Sequence, residues 1–352
     1  MKISQLFLSL ICAITIFGCS SDDVVRQSIT VSPKITFLNS GTTEYLRGVY
    51  FEDMNTGYAM GDYGTLLKTV DGGVEWRKIP TKTTSTLYAY FVHNSVHYLC
   101  GQEFIGTGNS TETISSNQLK NYDTFASGSY ANFVSSNGKV FCFGGSNAVY
   151  VKGYCIVPTS TGDKWEIPTF QYEADSIKYL GSFGKAIETE PGTILAPVTA
   201  TENDNYGIFR INTQTYEVKT ALRLVPKVQQ ILGMPDFAHC SVKALSKGDA
   251  NTIVGINSYY GFITVSKDNG KTWSQQFLGE NIRLFDIHMV SDLLGFACGF
   301  KGVLYYTGDG GDTWIPISSG TTNNLARLYF PSKTIGYAVG ANGTIIKIDI
   351  SQ

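Results

Sequence analysis

Gly57-Tyr58-Ala59-Met60-Gly61-Asp62-Tyr63-Gly64-Thr65 and Gly336-Tyr337-Ala338-Val339-Gly340-Ala341-Asn342-Gly343-Thr344 are two copies of one pattern. The likeness extends upstream, where Ser40-Gly41-Thr42-Thr43 and the apolar Leu46, Val49 and Phe51 match Ser319-Gly320-Thr321-Thr322 and Leu325, Leu328 and Phe330. A third copy runs from Leu284 through Gly295-Phe296-Ala297-Cys298-Gly299-Phe300-Lys301-Gly302. Short apolar alternations separated by glycines read as strand, turn, strand with period two. Recurrence on a shared frame predicts a repeat architecture.

Each frame continues into a turn of fixed content. Thr69-Val70-Asp71-Gly72-Gly73-Val74-Glu75-Trp76, Ser266-Lys267-Asp268-Asn269-Gly270-Lys271-Thr272-Trp273 and Thr307-Gly308-Asp309-Gly310-Gly311-Asp312-Thr313-Trp314 share the form S/T-x-D-x-G-x-T-W. Asp71, Asp268 and Asp309 can accept N–H groups of their own turns, and the glycine supplies a positive φ. Trp76, Trp273 and Trp314 begin the next strand and pack back across the hairpin. Turn chemistry accounts for residue type and spacing together, so these aspartates are expected to be structural and not catalytic. Ser160 to Trp165 reads as a degenerate copy without the aspartate.

Innermost strands are expected to start at Leu46, Leu87, near Tyr130, near Ile177, near Cys240, at Leu284 and at Leu325. Seven units of four short strands predict an all-β, seven-bladed β-propeller. The last unit ends after three strands. Ile35 to Leu38 precede Ser40-Gly41-Thr42-Thr43 as Trp314 to Ile317 precede their counterpart, so the N-terminal segment is expected to supply the missing outer strand and close the ring. Gln102 to Ser127 and Glu188 to Asn205 read as loose surface excursions.

The first residues speak to location. Lys2 precedes an apolar run from Leu6 to Ile16, too short for a permanent span and suited to a cleavable signal. Ile16-Phe17-Gly18-Cys19 resembles a bacterial lipobox, with Cys19 the site of lipid attachment, and Ser20-Ser21-Asp22-Asp23 resembles a surface-export signal. The expected layout is a signal peptide over 1–18, a lipid-anchored tether over 19–30 and a propeller over 31–352. The expected address is the outer membrane, at the cell surface or facing the periplasm, with membrane contact through the lipid alone.

Composition excludes other classes. Aromatics at 13% and 37 glycines favour short strands and tight turns. A net charge of -2 with no basic run argues against a nucleic-acid partner. Beyond Cys12 and Cys19, five cysteines remain, an odd number. Cys100 and Cys298 take the place of Met60 and Val339 in their repeats, which marks a buried apolar position. No cysteine pairing of zinc type is present, and His93 and His97 flank a turn, so neither a metal nor a cofactor is expected.

Leu-x-x-Val-x-Phe, Gly-Tyr-Ala-x-Gly, Gly-Thr-Leu/Ile and the aspartate turn with its tryptophan resemble the photosystem II stability and assembly factor family of BNR-type (Asp-box) propellers. The resemblance implies a propeller without catalytic activity that binds protein. The expected partner is another exported or membrane protein, with a glycan as the alternative ligand. Asp62, Tyr63, Phe300 and Lys301, in turns joining second and third strands, form the candidate binding face, with Tyr63 and Phe300 read as equivalent. The alternative is a surface glycan-binding protein or sialidase-like glycoside hydrolase. Phe209-Arg210-Ile211-Asn212 faintly resembles the sialidase arginine motif but lacks its proline. The aspartate turns should lie on the rim of the opposite face, where no pocket is expected.

Overall fold

The computed structural model describes residues 28–351, apart from 103, 112–113, 117–127, 147–152, 159–164, 167, 169, 173–174, 178–182, 199–205, 225–241 and 258–260. Cys19, the signal and most of the tether lie outside the described residues, as do Cys240, His239 and 160–164.

The described residues form an all-β propeller in which six sheets have four strands. In chain order, sheet I spans 46–78, sheet II 87–116, sheet III 128–166, sheet V 242–277 and sheet VI 284–316. Sheet VII takes Leu325–Tyr329, Ile335–Gly340 and Ile345–Asp349, with Lys34–Leu38 as its fourth strand. That N-terminal strand runs antiparallel to the C-terminal one, from Lys34 opposite Asp349 to Leu38 opposite Ile345. Ordered contact starts before the expected boundary, because the Ile29 N–H donates to the Gly308 carbonyl at 2.7 Å.

Sheet IV, over 170–224, departs from expectation. It has six strands, which corrects the anticipated seven four-stranded blades to six. The hairpin of Phe170–Tyr172 and Asp175–Ile177 adds to the outer edge, parallel to Glu217–Leu224. Ile177 therefore belongs to the outer hairpin, and the inner strand is Ile187–Glu190, approached through 183–186. Part of the expected loose stretch over 188–205 is also strand, Thr193–Val198. Within the other one, Phe104–Gly108 and Ser115–Ser116 complete sheet II.

Each inner strand carries one local irregularity. Register slips by a residue between Leu46 and Gly48, Leu87 and Ala89, Tyr130 and Asn132, Val242 and Ala244, Leu284 and Asp286, and Leu325 and Arg327. Such bulges kink a strand and re-aim the extra side chain. Gly61 and Gly299 permit the close approach this requires, since a Cβ on either would stand about 2 Å from the carbonyl of Tyr45 or Arg283.

The core lies between adjacent sheets. Leu46, Phe51, Ala59, Tyr337 and Val339 are buried together across sheets I and VII. Phe51 and Tyr337 stack at 4.2 Å. Burial of such rings at about 25 cal/mol per Å² supplies the main cohesion of the fold. Cys100, Cys142, Cys155 and Cys298 are buried.

Polar side chains stitch the sheets together around the inside. Asn132 both accepts from and donates to the backbone of Ala186, tying sheet III to IV. Ser246 accepts the N–H of Met289, tying V to VI. Asp286 accepts that of Leu328, tying VI to VII, and the Tyr329 hydroxyl donates to the carbonyl of Phe51, tying VII to I.

The aspartate turns form a second set of ties on the outer rim. In sheet VI the Thr307 hydroxyl donates to Asp309 at 2.8 Å, and Asp309 also takes the N–H and hydroxyl of Thr313. Asp268 holds the same bonds in sheet V, which lower its carboxyl to about pKa 2, the hydroxyl of Thr272 contributing most. Asp71 accepts the N–H of Glu75, which holds its carboxyl below the ordinary value. Each turn also offers carbonyls to the preceding sheet. Tyr337 donates to Gly72 at 2.7 Å, Arg210 to Asn269 and Gly270 at 3.3 Å, and Lys267 to Asp309 at 3.0 Å and to Gly310. Trp314 donates its indole N–H to Gly311, the position whose counterpart Gly270 accepts from Arg210.

Candidate functional site

The strand bulges and the turns joining second and third strands share one face, opposite the aspartate turns. The turns at 62–64, 300–302 and 341–343 have one geometry, with Tyr63, Lys301 and Asn342 at φ 54°, 53° and 54°. Tyr63 is therefore the counterpart of Lys301, and Phe300 that of Asp62. This corrects the expected equivalence of Tyr63 with Phe300, because the left-handed residue directly precedes the second glycine in each turn.

Tyr63 is 73% exposed. Its left-handed backbone costs a non-glycine residue about 1–2 kcal/mol. It borders a depression of about 390 Å³ with Asp62, Thr84, Ser85 and Gln102. Asp62 receives a two-pronged pair from Arg47, Nε to Oδ1 and Nη2 to Oδ2, each at 2.9 Å. Arg47 also lies 3.8 Å over the ring of Tyr45. Phe300 sits beneath Arg283 and Lys301, 5.6 and 5.4 Å from its ring centre. The four expected residues thus share the face, Asp62 and Tyr63 in sheet I and Phe300 and Lys301 in sheet VI.

Between them lies a group that sequence reasoning missed. Arg47, Lys243 and Arg327 come from the inner strands of sheets I, V and VII, and Lys185 from the approach to that of sheet IV. Lys185 Nζ reaches Asp286 at 2.8 Å and the Ile287 carbonyl at 3.0 Å, and Arg327 Nη1 stands 3.7 Å from Asp286. Asp286 has no solvent exposure. Burial alone would raise its carboxyl, but Lys185, Arg327 and the Leu328 N–H together hold it below the ordinary value.

Lys243 follows a backbone exchange between sheets IV and V, in which Lys185 N donates to Lys243 O and Leu245 N to Lys185 O. Its ammonium lies 5.4 Å over the ring of Phe285. Water reaches Lys243, yet burial first, and then the like charges of Arg327 and Arg47, depress its pKa against the pull of Asp286. Among the described residues, these four cations meet the carboxylates of Asp62 and Asp286. Aligning the second and third residues of each inner strand would have shown Arg47, Lys243, Asp286 and Arg327 as one ring.

The hydrolase alternative can be weighed in the same geometry. Tyr58 donates to Glu52 at 2.7 Å, the kind of pair such a nucleophile requires. Tyr58 is buried, its hydroxyl is pushed up to about 12 mainly by burial, and it stacks on Tyr90 at 4.0 Å. It pairs with Tyr50, three residues along the strand from Arg47, so about 10 Å separates it from the cations. Arg210 is engaged with the carbonyls of the sheet V turn, on the outer rim. His97 meets the Tyr90 hydroxyl at 2.5 Å, and among the described residues no group of three or more ligands is placed for a metal.

A propeller with a charged axial mouth describes the class. No family model matches the chain, and no curated protein matches it. Solved structures do. YCF48 bound to D1 peptide superposes with a TM-score of 0.67 at 15% identity, over 95% of this chain and 100% of that one. YCF48 from Cyanidioschyzon merolae gives 0.65 at 16%, over 90% and 98%. The WD40 β-propeller domain of Doa1 gives 0.62 at 11%, over 92% and 98%. At these identities the likeness is one of fold.

Proposed function

We propose that this chain is a non-catalytic scaffold that binds an exported or membrane protein through the face bearing the strand bulges. The observation that carries the reading is the convergence of cations with the exposed ring of Tyr63 and the half-buried ring of Phe300 on that face. Arg47, Lys243 and Arg327 offer charge, while Tyr63 and Phe300 flank them with apolar surface. Aromatic and arginine side chains are the usual anchors of protein interfaces. The YCF48 structure with a D1 peptide supports a peptide segment as the ligand. The stacking of the buried Tyr58 ring on Tyr90, away from Arg47, supports the absence of glycosidase activity.

In this reading sheet IV serves as a seventh blade, and the N-terminal strand completes a closed ring. The pairing of Lys34–Leu38 with the C-terminal strand supports that closure. A lipid on Cys19, followed by the tether over 19–30, would hold the ring at the outer membrane.

The test is a pull-down from envelope extract with Tyr63→Ala/Phe300→Ala beside the parent. Captured partners should fall away while the melting temperature falls by only a few degrees, since Tyr63 is exposed and Phe300 half-buried. Unchanged capture by the double variant would overturn the assignment of the face.

A further inference from the structure

The point at which the N-terminal segment joins the propeller fixes the face it comes from. The Ile29 N–H donates to the carbonyl of Gly308, in the aspartate turn of sheet VI. Lys34–Leu38 then runs from beside Asp349 to beside Ile345, which follows the turn at 341–343. The chain therefore enters at the aspartate-turn face and travels toward the face bearing the strand bulges. Ten chain steps lead from Cys19 to Ile29, a reach of at most about 33–36 Å. Strands of this length set the two faces about 17–20 Å apart. A lipid on Cys19 would hold the aspartate turns nearer the membrane, and turning the other face inward would consume more than half of that reach.

Large apolar side chains are left uncovered at the same face. Ile29, Met54, Val70 and Val74 are exposed there, at 38%, 41%, 52% and 73%, whereas among the described residues Tyr63 alone is so exposed in the turns of the opposite face. Met54, Val70 and Val74 form one cluster, because Gly72 donates its N–H to the Asn55 carbonyl at 3.0 Å and ties the two turns of sheet I together. Their counterparts are polar or bare. Met54 answers to Asp292 and Lys333 in sheets VI and VII, Val70 to Lys267 and Gly308, and Val74 to Lys271 and Asp312 in sheets V and VI. The turns do not require these three side chains, and such a cluster marks a contact surface. The turns themselves, over 52–56 and 70–76, hold Asp53, Asp71 and Glu75 and no lysine or arginine, so acidic headgroups would not attract them. A depression of about 850 Å³ between sheets IV and V corrects the expectation of a rim without pockets. Its charges answer one another, Lys267 with Asp312, Arg210 with Glu190 and Lys219 with Glu217.

We propose that the propeller rests on a zwitterionic lipid surface by its aspartate-turn face, with the apolar turns of sheet I in the headgroup layer. This placement rests on the lipid proposed for Cys19. The lipid holds the chain at the membrane, and Met54, Val70 and Val74 set its tilt by apolar contact without help from charge. The protein-binding face then looks away from the membrane, and its partner approaches from the aqueous side.

The experiment uses the full chain, purified from membranes and reconstituted into vesicles of phosphatidylcholine and phosphatidylethanolamine in which some lipids bear a nitroxide on the headgroup. A bimane fluorophore is attached at Met54→Cys or at Tyr63→Cys in a Cys240→Ser background, where Cys100, Cys142, Cys155 and Cys298 are buried. Nitroxide quenching at position 54 should exceed that at position 63 several-fold. Val70→Lys/Val74→Asp, two residues that the sister turns already carry, should cut the quenching at 54 several-fold while flotation with the vesicles and the melting temperature stay unchanged. Substituting phosphatidylglycerol for part of the lipid should not strengthen it. Equal quenching at the two positions, stronger quenching at 63, indifference to the sheet I variant, or a gain with phosphatidylglycerol would overturn the orientation while leaving the anchor in place. A chain that does not float with the vesicles would overturn the lipid on Cys19, and the orientation with it.

Discussion

Replacing Asp286 by asparagine deletes one charge at the axis and almost nothing else. The new amide oxygen can still accept the Leu328 N–H, which Asp286 Oδ2 now takes at 2.9 Å. What disappears is the counter-charge for Lys185 at 2.8 Å and Arg327 at 3.7 Å. Removing one partner of a buried pair costs about 3–5 kcal/mol. Both cations keep some contact with water, with side chains 21% and 18% exposed, so the expected loss is about 2–3 kcal/mol. At about 2–4 °C per kcal/mol for a large domain, the melting temperature at neutral pH should fall by about 4–12 °C. The pH dependence supplies a second check. The folded carboxyl of Asp286 lies below its ordinary 3.8, so its contribution is complete above the unfolded value and is lost as pH falls through the folded one. The gap between parent and variant should be flat from weakly acidic to neutral pH and narrow below about pH 4. Thermal melts across that range decide it. A variant that melts with the parent at pH 7, or a gap that widens on acidification, would refute the electrostatic account of the axis.

Asp309→Ala removes three bonds, from the Thr307 hydroxyl, the Thr313 N–H and the Thr313 hydroxyl, two of whose donors can turn to water. Chemical denaturation should show a loss of about 1–2 kcal/mol with partner capture intact in the folded fraction. Deleting residues 30–39 removes the outer strand of sheet VII together with Val31, Ile35 and Leu38, which pack on the core. It should lower the melting temperature far more than deleting 20–28, and equal melting of the two truncations would contradict a structural role for that strand. Cys19→Ala should abolish incorporation of a labelled fatty acid, whereas persistent label would exclude lipidation at that residue.

How far the sequence could be read depended on how well the repeat was kept. Sheets I, VI and VII carry Gly-Tyr/Phe-Ala-x-Gly in register, and their strands fall where the alternation places them. Sheet IV was opaque because its added hairpin pairs parallel to Glu217–Leu224. A strand docked on an outer edge follows no repeat frame. The turn residues Asp62, Tyr63, Phe300 and Lys301 were visible through their glycines, but their pairing was misjudged by one position. The axial group was hidden for another reason. Arg47, Lys185, Lys243, Asp286 and Arg327 are far apart in the chain, and each alone reads as an ordinary strand residue. Their adjacency is a product of the ring.

The rim ties have a direction. Tyr337, Arg210 and Lys267 each reach forward from one sheet to finish the turn of the next. A sheet therefore holds its neighbour's turn and relies on its predecessor for its own, as overlapping tiles do. One such tie crosses from the last sheet to the first, while the chain's two terminal strands meet inside sheet VII. Nothing in this arrangement singles out a founding sheet. The order of residues along the gene can be rotated, with new ends cut between sheets V and VI and the old ones joined, and every tie keeps its giver and its receiver.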